Sequence, residues 1–148
     1  MERIRFKPRF DRLFAVTVIL TAAIMLALTL FIIFGLPFAP YTLLTILATD
    51  IFAFYFVVSP LFGYVELREE TVFIKFGFFL KREIPYGRIR GFSRERKAYA
   101  DSMLALKNSL DHVNIKYNTF DTVSVSVRDD DRLIGEIEAR IAKARGLE

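Results

Sequence analysis

LFAVTVILTAAIMLALTLFIIFGLPF, residues 13–38, runs without a single charge. A helix needs about 20 predominantly apolar residues to cross the hydrocarbon core of a bilayer, so this run is long enough to span. A second run, YTLLTILATDIFAFYFVVSPLF (residues 41–62), is similar in length and is interrupted only by Asp50. Between them lies Gly35-Leu36-Pro37-Phe38-Ala39-Pro40-Tyr41. Two prolines this close end one helix and start another, because each lacks an N–H and its ring collides with the preceding turn. The sequence therefore predicts an antiparallel transmembrane hairpin, with helices at about 13–36 and 41–62. A cleaved signal peptide is not expected, since the first apolar core is longer than the usual ~7–15 residues and a second span follows at once.

Outward from the hairpin, the charges are unevenly spread. Between Leu13 and Gly63 the only charged residue is Asp50. The rest crowd into residues 1–12 and the chain after Gly63, the pattern of a bilayer segment beside a solvated domain. Over 148 residues, with 53% hydrophobic composition and a mean hydropathy of +0.34, that means one small domain and its anchor. The chain has no cysteine, which excludes disulfides and thiolate metal sites. A net charge of +4 suits a protein held against an anionic surface but is too small to indicate nucleic acid.

Flanking cations set the expected orientation. Arg3, Arg5, Lys7, Arg9 and Arg12 precede the first span, the connecting turn has no Lys or Arg, and Arg68, Lys75, Lys81 and Arg82 follow the second. The expectation is a two-span protein of the cell (inner) membrane with both termini cytoplasmic and residues 1–12 as a basic cytoplasmic segment.

Asp50 falls near the middle of the second span, where a carboxylate costs a few kcal/mol unless neutral, paired or wetted. Thr42, Thr45 and Thr49 recur at helical spacing nearby, and Thr17, Thr21 and Thr29 give the first span polar groups. With the turn near Phe38, Asp50 should lie at the depth of Ala27 to Thr29. Asp50, Thr49 and Thr45 are thus candidate membrane-core polar residues. They would act as interhelical glue, within the hairpin or across an oligomer. The alternative is proton or ion handling in an accessory subunit of a transport or channel complex.

From Tyr64 to Glu148 the period changes. Tyr64–Arg68 alternates polar and apolar residues, Glu69-Glu70 makes a turn, and Val72, Ile74 and Phe76 share a face. Lys81–Tyr86 leads to a third strand with Pro85 at an edge or bend. Ile89 and Phe92 continue the signal. Leu104 alternates with Leu106, then Val113, Ile115 and Tyr117 alternate, and Val123, Val125 and Val127 alternate with Thr122, Ser124 and Ser126. Period-2 patterning at short spacing predicts an antiparallel sheet system. A terminal helix follows. Asp129 stands at the N-cap, Asp130 and Asp131 in the first turn, and Leu133, Ile134, Ile137 and Ile141 form one apolar stripe. Arg140, Lys143 and Arg145 occupy the last turns, and Gly146 can close them.

YVELREETVFIKFGFFLKREIPYGRIRGF and SMLALKNSLDHVNIKYNTFDTVSVSVRDDDRLIGEIEARI together resemble the bacterial PH-like domains of the YyaB type. The first stretch has their tyrosine–strand–turn–strand–glycine run, closed by isoleucine-proline-tyrosine-x-x-isoleucine. The second has their strand pair and an acidic entry into the helix, with Arg128 where the family often carries proline. The resemblance spans about eighty residues. It implies a membrane α-helical hairpin plus an α+β or all-β domain, a PH-like curled antiparallel sheet of about seven strands capped by a C-terminal helix. The implied function is non-enzymatic binding or scaffolding.

The residues themselves carry little chemistry. His112, the only histidine, precedes Val113 and is expected on the polar face of its strand, at the surface or satisfied. Asp129–Asp131 read as a helix N-terminus before they read as a metal site. The serines lack a GxSxG elbow, and Gly77-Phe78-Phe79 is a hairpin turn. No catalytic residue, metal or cofactor is expected.

The most suggestive feature is basic. Lys75, Lys81, Arg82, Arg88, Arg90, Arg94, Arg96 and Lys97 stand against only Glu83 and Glu95, and Arg88, Arg90, Arg94 and Arg96 share one parity. Lys81, Arg82, Arg88, Arg90, Arg94, Arg96 and Lys97 are candidates for contact with anionic lipid headgroups. The bland alternative is a solvated strand face. The first hairpin turn, Arg68-Glu69-Glu70, argues against a dedicated phosphoinositide pocket. The expected partners are membrane lipids together with a membrane or cytoplasmic protein, or a second copy.

Overall fold

A computed structural model of the chain describes residues 3–35, 39–99 and 105–146, the Phe56 side chain excepted. Two helices, α1 (Arg12–Gly35) and α2 (Pro40–Val58), are long and apolar enough to cross a membrane by length and composition. At 1.5 Å per residue α1 is about 36 Å long, somewhat more than the ~30 Å hydrocarbon thickness of a bilayer. No residue of α1 is buried by the rest of the chain. Pro40 occupies the first turn of α2, where its missing N–H costs nothing. The remainder of the turn, Leu36 to Phe38, lies outside the described residues.

The hairpin is inserted into a sheet. β1 (Ile4–Phe6) precedes α1 and pairs antiparallel with β2 (Tyr64–Leu67), which follows α2, in the register Ile4 to Leu67, Arg5 to Glu66 and Phe6 to Val65. Then come β3 (Thr71–Lys75) and β4 (Lys81–Pro85), and the first sheet is ordered β1-β2-β3-β4. The second sheet contains β5 (Ile89–Arg96), β6 (Ala105–Leu106), β7 (Asp111–Tyr117) and β8 (Asp121–Val125), in the order β5-β7-β8-β6. Helix α3 (Asp130–Ala144) ends the fold.

One continuous, wholly antiparallel sheet of seven strands is therefore not what forms. The structure has two four-stranded sheets, and β6 pairs parallel with β8. Two physical reasons divide them. Pro85 ends β4 and the short 3-10 turn Tyr86–Arg88 follows, so the chain turns a corner anchored by the buried Tyr86 ring before β5 begins. The fourth strand of the first sheet comes from before the hairpin, where three residues among cations and Pro8 carry no alternation long enough to recognise. Leu104, expected to alternate with Leu106, lies outside the described residues.

The inner faces of both sheets form one core. Val65, Leu67, Val72, Ile74 and Ile84 meet Ile89, Val113, Ile115, Val123 and Val125, and Leu133 and Ile137 of α3 pack into the same cluster. Fully burying a side chain of this size stabilises by about 1.5–3 kcal/mol, so this cluster is what keeps the domain folded. Arg140, in the last turns of the helix, is 5% exposed. Its Nη1 donates to the Arg68 carbonyl at 3.3 Å and to the Tyr86 hydroxyl at 3.3 Å, so it fastens α3 over the corner between the sheets. Burial pushes the Tyr86 hydroxyl above its ordinary pKa, against the opposing pull of Arg140.

Candidate functional site

Both ends of the hairpin are bolted to the same end of the β domain. Asp11 caps α1: its Oδ1 accepts the Phe14 N–H at 2.8 Å. Its Oδ2 accepts the Leu110 N–H at 2.7 Å, and its own N–H donates to the Asn108 carbonyl at 3.2 Å. Burial raises the Asp11 pKa, but the Phe14 and Leu110 N–H groups outweigh it and hold the carboxyl below its ordinary value. At the other end, α2 runs into the 3-10 turn Ser59–Phe62. The buried Asn108 donates from Nδ2 to the Pro60 carbonyl at 3.2 Å. Gly63 lets β2 start here, because a Cβ would lie 2.8 Å from the Lys75 carbonyl oxygen. Asp11 is a junction residue that the sequence pattern did not reveal: one aspartate before an apolar run is an ordinary cap, and its second partner is ninety-nine residues away.

The basic stretch separates into groups with different surroundings. Lys75 and Lys81 stand directly opposite each other at the hairpin-proximal end of β3 and β4. Like charges so placed repel, which disfavours the pair unless an anion lies nearby. Arg82 is exposed, with its Cζ 5.7 Å from the centre of the Tyr117 ring. Arg96 ends β5 and Lys97 follows it, close to the start of α1. Arg96 Nε lies 3.7 Å from Asp111, which also faces Arg9 at 3.5 Å, and the Lys97 N–H donates to the Leu110 carbonyl at 3.1 Å. Lys97 Nζ pairs with Glu95 at 2.6 Å. Arg94 is engaged by Asp131 of α3.

Arg90 lies at the far end of β5, roughly 20 Å along the strand from Arg96, and Arg88 lies in the turn just before it. There Arg90 donates to the carbonyls of Asn118 at 3.4 Å and Thr119 at 3.2 Å. The expected single parity is interrupted between Ile89 and Gly91, where a register shift absorbs Arg90.

Asp50 meets α1 through Thr29, whose Oγ1 donates to Asp50 Oδ2 at 2.8 Å. Thr45 and Thr49 do not join it. They are exposed and donate to the Tyr41 and Thr45 carbonyls at 2.8 Å each, the habit of a threonine within a helix. A groove of about 420 Å³ runs beside Asp50, lined by Ala22, Met25, Leu26, Ile51, Phe54 and Val57.

A cleft of about 740 Å³ opens between the β5–β7 edge and the start of α3. Its arginines (Arg9, Arg94, Arg96, Arg128, Arg132) are matched one for one by carboxylates (Glu95, Asp111, Asp129, Asp130, Asp131). The formal charges of these ten side chains cancel. Asp129 occupies the N-cap position of α3 without a side-chain capping bond. Asp130 is half-buried, and burial pushes its carboxyl above the ordinary range. His112 also lines this cleft, opposite Glu95 in register and so on the face away from Val113. That face is covered, and His112 is 1% exposed with Nδ1 3.0 Å from the Leu110 carbonyl. Among the described residues no group of three His, Asp or Glu side chains is placed to hold a metal ion.

The outer face of the first sheet carries an ion-pair row. Glu66, 7% exposed, accepts from Arg5 Nη2 at 2.9 Å and from Arg68 Nε at 3.2 Å. Arg5 covers the Tyr64 ring at 4.1 Å, and Arg68 covers the Phe73 ring at 4.0 Å. The bond from Arg5, more than any other contact, holds the Glu66 carboxyl below its ordinary pKa. Part of the N-terminal basic segment is thereby absorbed into the domain.

Residues 63–141 match the family model described as the bacterial PH domain. The match begins where the hairpin ends and so leaves β1 outside it. No curated protein and no solved structure matches the chain.

Proposed function

The chain belongs to the bacterial PH domain family, and from that premise we propose that it is a non-enzymatic binding and scaffolding module, held on the inner face of the cell membrane by its own helical hairpin. The observation that carries this reading is the pairing of β1 with β2 across the hairpin. Both helices must enter and leave the bilayer on the side where the β domain sits, and the flanking cations make that side the cytoplasmic one. PH domains serve generally as binding modules, and the partner proposed here is a membrane or cytoplasmic protein or a second copy of the chain.

Anionic headgroups would be met by the cations nearest the helix ends: Lys75, Lys81 and Arg82 on one side, Arg96 and Lys97 on the other. Each such cation contributes about 1 kcal/mol near an acidic leaflet. The Lys75–Lys81 repulsion is the best support, since an anionic surface would relieve it; on its other side Lys75 faces the Tyr64 ring of β2 at 5.9 Å, which carries no formal charge. The test is amine acylation of the full chain in neutral and in anionic vesicles, read by mass spectrometry. Lys75 and Lys81 should react several-fold more slowly in anionic vesicles at low salt, and the difference should vanish at high salt. Equal rates in both vesicles would remove the lipid contact from this reading.

A further inference from the structure

The turn from β3 to β4 carries Phe78, Phe79 and Leu80 in succession, where a solvated turn would take Gly, Asn, Asp or Ser. These side chains are 39%, 80% and 56% exposed. The two phenylalanine rings face the hairpin. Phe79 stacks on Tyr55 of α2, with ring centres 5.8 Å apart and planes 20° from parallel. Phe78 lies 5.9 Å from the same ring and 4.8 Å from Phe62.

The turn is fastened in that position. The Phe76 N–H donates to the Leu80 carbonyl at 2.9 Å, and the Phe78 N–H donates to Ser59 Oγ at 3.3 Å. Gly77 permits the approach, because a Cβ there would collide with the Ser59 side chain and lie 3.1 Å from its carbonyl oxygen.

Depth follows from helix geometry. Tyr55 precedes Pro60 by five residues, about 7 Å along a helix. A helical side chain also leans toward the helix N-terminus, which for α2 is the direction of the bilayer centre. From Ile51 to Val65 there is no charge to hold this column in water. Lys75 and Lys81 close the turn on both sides, at the level where a headgroup phosphate would sit.

We propose that Gly77–Leu80 is a third membrane element, a wedge that places Phe78, Phe79 and Leu80 in the hydrocarbon–headgroup boundary beside α2 and fixes the tilt of the β domain on the bilayer. The wedge rests on the reading of α1 and α2 as spans. The chain has no cysteine, so single cysteines can each carry an environment-sensitive fluorophore in the reconstituted full-length protein. The sites are Phe79→Cys, Leu80→Cys (which leaves the Tyr55 stack intact), Leu26→Cys within α1, and Phe120→Cys at the tip of the β7–β8 turn, where the side chain is 94% exposed. Emission at 79 and 80 should shift to the blue and be lost to lipids spin-labelled near the headgroup. Position 26 should respond to labels deep in the acyl chain, and position 120 should read water. If 79 and 80 read water while 26 reads lipid, the wedge is overturned and the anchor stands. If 26 also reads water, the spanning reading fails and takes the wedge with it.

Discussion

No residue of α1 is buried within the protein, whereas Val65, Leu67, Val72 and Ile74 of the first sheet are 0% exposed. Both regions are rich in apolar side chains, yet they dispose of them differently. The hairpin presents most of its described side chains outward, and its two helices meet through the Thr29–Asp50 bond and a stripe of half-buried residues. The β domain turns its side chains onto one another. The contrast shows that the domain's stability resides in internal packing, whereas the hairpin's outward apolar side chains suit the bilayer setting proposed above.

The largest break in this comparison should come from truncating the core. Ile74→Ala is expected to cost about 2–5 kcal/mol and to unfold the β domain at a far lower denaturant concentration. Leu26→Ala in α1, at a side chain 61% exposed, should leave that transition in place. Denaturant titration in detergent, followed by near-ultraviolet circular dichroism of the domain, reads both. Equal shifts for the two variants would mean that the regions fold as one unit.

A middle effect is expected at Glu66. Its folded-state pKa is depressed by Arg5 and then Arg68, so its contribution is fully present above the unfolded carboxylate value of about 4.3. That contribution fades as pH falls through the lower folded value. Glu66→Gln should lose about 1–2 kcal/mol near neutral pH. It should also lose less on acidification than the unaltered protein does, because the titrating group is gone. Thermal midpoints measured from neutral pH down to pH ~3, across the window set by the ordinary carboxylate pKa, check both statements. An unchanged acid slope would assign the pH dependence to other carboxylates.

The smallest effect sharpens the hairpin side. Thr29→Val removes the donor to Asp50 and should weaken the α1–α2 contact by about 0.6 kcal/mol, the average for interhelical hydrogen bonds in membranes. Energy transfer between labels on the two helices in lipid should broaden slightly. Complete separation of the helices would show that Asp50 holds much more than this one bond.

Some elements were legible because their signal is local. The uncharged runs mark α1 and α2, the alternation at Val113–Tyr117 and Val123–Val127 marks β7 and β8, and Leu133 with Ile137 marks the inner stripe of α3. The Asp50–Thr29 contact was nearly legible too, since a hairpin turning near Phe38 sets their common depth. The candidate site was less so. Counting cations treated one run of chain as one surface, while the fold gives Arg94 to Asp131 and Arg90 to the β7–β8 turn, and leaves Lys75 and Lys81 facing each other.

By itself, then, the order of residues determined that two apolar helices stand beside a small β domain of PH type, because hydropathy and period are properties of short stretches. Only the tertiary structure decided that β1 belongs to that domain, that Asp11 ties α1 to Leu110, that Arg140 is a buried fastener, and that Phe78 and Phe79 lie along α2. Each of these joins residues far apart in the chain, and such pairings depend on where the backbone turns in space.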